Sequence, residues 1–139
     1  MTSPRPTLVR MTRHRNIWHR IVRRSRIGAW SHHAALTLWP FIFLRDATAG
    51  RTLYAHEYYH LKQQLVCMAI GAASEGLAVA FLGASPWWAV LVLLHGAFLL
   101  PYGVTVAVSG YHASWFERTA RVWAAQHAAE FPDIDGATL

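Results

Sequence analysis

Two apolar runs, separated by three residues, constrain this chain more than anything else in it. Residues 65 to 83 read LVCMAIGAASEGLAVAFLG and residues 87 to 109 read WWAVLVLLHGAFLLPYGVTVAVS, with ASP between them. As a helix, each run is near the ~20 residues needed to cross a bilayer, and ASP suits a tight turn. The 139 residues are 54% hydrophobic and only 14% charged, against about 25% charged in a soluble domain. Lipid is therefore expected to cover part of the apolar surface; a compact soluble bundle with the hairpin at its core is the alternative. The second run is the stronger span, because the first carries Ser74 and Glu75. A carboxyl in lipid is costly unless paired or functional, and His95 across the hairpin is the expected partner of Glu75. Trp87, Trp88, Tyr102 and Tyr111 suit the membrane interfaces.

The net charge of +6 is unevenly spread: eight of the thirteen Lys and Arg residues precede residue 27, and the first acidic residue is Asp46. Residues 1 to 15 show little periodicity and are expected to be disordered. Residues 16 to 27, NIWHRIVRRSRI, place Trp18, Ile21, Val22 and Ser25 at helical spacing among arginines. This predicts a short basic amphipathic helix on an anionic membrane surface, with a solvated basic tail as the plain alternative. Nucleic acid is not an expected partner, since no DNA- or RNA-binding motif accompanies the basic arm. Residues 27 to 44 follow the arm as an apolar stretch, but His32 and His33 interrupt it and no clear small-residue cleavage site follows, so a cleaved signal peptide is not expected. Residues 34 to 45 are rich in aromatic and branched side chains. They predict an extended segment or edge strand, because Pro40 cannot donate to a central ladder; a short apolar helix is the rival. The single Cys67 excludes an internal disulfide and is expected to act as a small buried hydrophobe. The expected organisation is a basic arm over 1–27, one domain over 28–131 that contains the hairpin 65–109, and a tail over 132–139.

Between the strand and the hairpin lies YAHEYYHLKQQ, residues 54 to 64. His56, Glu57 and His60 form the pattern H-E-x-x-H on a predicted helix. Residues four apart share one helix face, so two imidazoles can chelate one ion, and zinc accepts such nitrogens at about 2.0–2.1 Å. Glu57 is rotated by about 100° from His56, where a carboxylate can face a water instead of the metal. The plain alternative is a helix surface with two histidines and a solvated glutamate. A catalytic zinc site has three protein ligands and an open position. Glu75, fifteen residues past His60, would be over ~20 Å away on one continuous helix. Glu117, in the separate predicted helix SWFERTAR with Ser114 as its N-cap, is the expected third ligand. A hairpin of two crossings would return Glu117 to the side of His56 and His60, and the basic arm predicts that this side is cytoplasmic. His112 is a candidate oxyanion stabiliser, with an ordinary surface histidine as the alternative. Gln63 and Gln64 could hydrogen-bond near the site or serve as surface polarity.

HEYYHLKQQ, then an apolar hairpin, then FERTAR resembles the gluzincin metallopeptidases. Closest in layout are membrane-embedded zinc peptidases of the CAAX-prenyl-protease and heat-shock-protease type and minimal gluzincin domains. The resemblance spans roughly residues 51 to 125. It implies zinc as cofactor, with His56, His60 and Glu117 as ligands, Glu57 as general base, and a peptide or protein as substrate. The edge strand at 36–44 would hold an extended peptide by backbone hydrogen bonds. The chain departs from the family pattern at Arg121, where E-x-x-x-D places an aspartate that orients a ligand histidine. The competing class is a non-catalytic small membrane protein, an interaction module whose H-E-x-x-H binds a structural metal or none. Two histidines and a carboxylate also suit iron or manganese.

Overall fold

The computed structural model describes residues 7–14, 17–25, 34–46, 48–83 and 87–134, with side chains described outside 7–14 and 87–95. Among these residues the protein is mostly helical, with one small sheet. Strands β1 (Thr7–His14), β2 (Ile17–Arg23), β3 (Ala35–Leu38) and β4 (Phe41–Leu44) precede helices α1 (Arg51–Leu82), α2 (Trp87–Ser109) and α3 (Trp115–His127), and a 3-10 turn (Ala128–Glu130) follows. The sheet order is β1-β2-β4-β3. Strand β2 runs antiparallel to β1 and parallel to β4, and β3 and β4 form an antiparallel pair. The chain divides into two compact units, one of residues 1–61 with 120–139 and one of residues 62–119.

The sheet corrects two expectations. The segment expected to be disordered forms β1 over residues 7–14, and the expected amphipathic helix over 16–27 is strand β2. Its inward positions are His19, Ile21 and Arg23, all buried, so the period of two is hidden behind polar letters. His19 can be buried because both ring nitrogens are satisfied. Nδ1 donates to the Ile17 carbonyl at 3.1 Å, which leaves Nε2 to accept from the Tyr54 hydroxyl at 2.7 Å. Burial, with a smaller contribution from Tyr58, raises the Tyr54 pKa, so the hydroxyl remains a donor. The extended segment expected over 34–45 is two strands that turn at Trp39 and Pro40. Strand β3 is an edge strand, as expected; β4 lies inside the sheet. The Pro40 carbonyl accepts from Arg20 N–H.

The core of this first unit gathers Ile21, Ile42, Leu44, Tyr54, Tyr58, Leu61, Ala124 and Phe131. Ile134, beyond the expected domain end at 131, joins it. Ile134 is buried and pairs with Ala49 in an isolated bridge. Asp133 accepts from Arg51 N–H and from the Arg51 guanidinium, each at 2.9 Å. A carboxylate there satisfies an orphan donor of the first turn of α1 and complements the helix dipole.

In the second unit, α1 and α2 both end on glycines with left-handed backbone. Gly83 (φ 85) and Gly110 (φ 80) donate N–H to Val79 and Val106, an ending that favours glycine because it has no Cβ. The motif helix and the first apolar run are one continuous helix of 32 residues. Among the described residues, α1 is the one helix long and apolar enough to cross a membrane. Its most apolar 18-residue window has mean hydropathy 2.0 and is only 11% buried. The Gly96–Ser109 part of α2 is apolar but shorter, so the expectation that the second run is the stronger span falls partly outside the described side chains. Glu75 is buried, and its Oε1 has no hydrogen-bond partner among the described residues; the side chain of its expected partner, His95, lies outside them. Cys67 is half-buried.

Two outcomes test the first unit. Replacing Tyr54 by Phe leaves His19 Nε2 buried without its donor and should lower the unfolding free energy by about 1–3 kcal/mol, read by denaturant titration in detergent. The Arg51 guanidinium and N–H lower the Asp133 pKa. The stabilisation is therefore present above the ordinary carboxylate pKa and lost as pH falls through the lowered value. Asp133→Asn should lower Tm at neutral pH, and the gap from wild type should close as pH falls below about 4.

Candidate metal centre

Helix α1 carries one half of the centre. His56 and His60 stand one turn apart, with ring centroids 4.7 Å apart and their Nε2 atoms at 3.1 Å. Two nitrogens held about 2.0–2.1 Å from one tetrahedral ion stand roughly 3.3 Å apart. The pair is therefore at ligand–ligand distance before any ion arrives, and the same spacing suits one shared proton. His60 is buried and His56 partly exposed. Glu57, between them on the helix, is 6% exposed. Its Oε2 accepts from the Thr37 hydroxyl at 2.6 Å. Thr37 lies on the inward side of β3, whose residues alternate as buried Ala35 and Thr37 and exposed Leu36 and Leu38. The edge strand thus holds the carboxylate of the H-E-x-x-H motif.

Helix α3 carries the other half. Ser114 is fully buried, and its Oγ accepts from Glu117 N–H at 3.3 Å, as expected of an N-cap. S-x-x-E is also the pattern of a reciprocal capping box, in which the glutamate would reach back to the serine N–H. Here Ser114 N–H donates to the Gly110 carbonyl instead, and the Glu117 carboxylate turns to Tyr102, whose hydroxyl donates to Oε1 at 2.9 Å. Glu117 is 2% exposed. Gln63 of α1 fastens the same turn by donating to the Phe116 carbonyl and to Thr119 Oγ1.

His56, His60 and Glu117 each offer a ligand atom, and these atoms all lie within 4.8 Å of one another. Two imidazole nitrogens and a carboxylate oxygen are a donor set that fits zinc, and they also fit other first-row divalent metals. Glu57 is not a member of the group. His112 lies on the exposed turn at 111–113, with its ring 5.2 Å from that of Tyr111. Arg121 is exposed on α3. Thr37 and Tyr102 are the partners that sequence reasoning missed. Nothing local in LTLW or LPYG marks a hydroxyl that will meet a carboxylate elsewhere in the chain. No protein-family model matches the chain, and neither curated proteins nor solved structures give a match.

Orienting partners of metal ligands are typically worth 10–100-fold in affinity. Tyr102→Phe should weaken divalent-metal binding by about that range, measured by competition with a chromophoric chelator. An unchanged affinity would mean that Tyr102 does not orient Glu117.

Proposed function

We propose that the chain is a zinc-dependent metallopeptidase of the gluzincin type, embedded in a membrane by residues 65–109. The observation that carries this reading is the approach of His56, His60 and Glu117 to one another with a separate buried carboxylate, Glu57, on the same helix as the two histidines. His56, His60 and Glu117 would hold the metal. Zinc in such a site acts as a Lewis acid toward a water and a substrate carbonyl. Glu57 is the general base: with Oε2 held by Thr37, its carboxylate takes a proton from the attacking water and passes it to the leaving amine. Tyr102 keeps Glu117 in its rotamer. A peptide in extended form can add to β3, which ends the sheet order among the described residues. The exposed cations around the apolar segment and the basic arm favour a cytoplasmic face for the site.

Elemental mass spectrometry on the purified protein tests the ligands. Near-stoichiometric zinc in wild type, lost in His60→Ala and Glu117→Ala, is the expected result. Glu57→Gln should keep the metal and lose about 10²–10⁴-fold in peptide hydrolysis. His112→Ala should keep the metal too, and slows hydrolysis only if His112 meets the oxyanion. Wild-type protein that stays metal-free after loading and dialysis would defeat the reading and favour a non-catalytic membrane module.

A further inference from the structure

Residues 62–119 contain four charged side chains, Lys62, Glu75, Glu117 and Arg118. Both carboxylates are buried and both cations exposed. The exposed charge of this unit is therefore entirely positive, although its carboxylates balance its cations in number. Beside Arg118 runs a groove of about 360 Å³ where the end of α2 and the turn after it meet the start of α3. Val104, Val108, Ala113 and Trp115 line it together with Arg118. Val104, Val108 and Trp115 are 60%, 83% and 53% exposed, and a rimmed apolar patch of this kind is a common binding surface. Thr105 and Ser109 also line it, but their hydroxyls donate along the helix to the Tyr102 and Thr105 carbonyls, so their protons are unavailable to a ligand. The Arg118 guanidinium has neither an ion pair nor a hydrogen bond among the described residues.

We infer that this groove seats an anionic phospholipid, its phosphate on Arg118 and one acyl chain along Val104, Val108 and Ala113, with Trp115 at the level of the headgroups. An apolar lining that includes a guanidinium with no partner among the described residues matches an amphiphile with an anionic head. Guanidinium binds phosphate oxygens through two parallel hydrogen bonds, and tryptophan favours the interface between headgroups and acyl chains. A zwitterionic lipid would fill the same groove but brings its own cation close to Arg118. The inference rests on the reading that residues 65–109 lie in a bilayer.

The full chain is reconstituted in vesicles of phosphatidylcholine with and without phosphatidylglycerol, then extracted, and its retained lipid is identified by mass spectrometry. Wild type should enrich phosphatidylglycerol about tenfold over its share of the vesicle, as a charge-assisted contact allows. Arg118→Gln should lose the preference and Arg118→Lys keep part of it, while Arg45→Gln, an equal charge loss in the first unit, should leave it intact. Ala113→Trp, which fills the groove, should lower retention with the charge unchanged. Glycerophosphoglycerol, the same headgroup without chains, should not compete; equal competition would overturn the seat in favour of a bare anion site. No preference in wild type, or one that survives Arg118→Gln, would overturn it as well. An alkaline carbonate wash separates the two readings. Protein released by the wash defeats the membrane reading, whereas protein that stays in the vesicles without lipid preference defeats only the phospholipid seat.

Discussion

Glu57 and Glu117 are taken almost wholly out of water, at 6% and 2% exposure, and much of the local structure answers that cost. A carboxylate loses several kcal/mol of hydration on burial unless donors replace the water. In one unit the donor is Thr37, delivered by the inward side of an edge strand. In the other it is Tyr102 from α2, while Ser114 and Gln63 fix the turn from which Glu117 projects. Each carboxylate thus meets a hydroxyl that can only orient it and cannot neutralise it. That is the environment a ligand and a base require, since both must keep lone pairs available.

The apolar composition is spent unevenly. The first unit has a conventional core of aromatic and branched side chains around Tyr54 and Tyr58. In the second, large apolar side chains such as Ile70, Leu77, Phe81 and Leu100 are more than half exposed. A chain that can bury aromatics tightly in one unit does not leave such residues outward in the other for want of core-forming material; outward apolar surface of this kind is what lipid or a partner covers.

The parts legible in the sequence share one property: their signal is local. His56 and His60 declare themselves by a spacing of four, and the apolar runs by their length. Glu117 follows from its helix pattern and from being the acidic residue that a two-crossing topology returns to the histidines. The sheet was not legible over 7–23, because β2 faces inward with His19 and Arg23. His19 reads as polar until Tyr54, 35 residues further on, supplies the hydrogen bond that makes its burial tolerable. Thr37 and Tyr102 are similarly silent, since a hydroxyl that orients a carboxylate has no composition or period of its own. The segment around Asp133 and Ile134 reads as a loop, and a loop it is, apart from two contacts made 82 and more residues back.

Those contacts have a consequence for how the molecule is made. The first unit is discontinuous, closed by residues 120–139, and the opening turn of the H-E-x-x-H helix is completed by Asp133. A ribosome delivers the sheet and the motif first, then both apolar runs, and only then the segment that finishes the unit it began with. Long-range closure of this kind is slow relative to local helix formation. During synthesis both apolar runs are therefore complete before Asp133 can meet the opening turn of the H-E-x-x-H helix, so that turn is among the last parts of the unit to be finished.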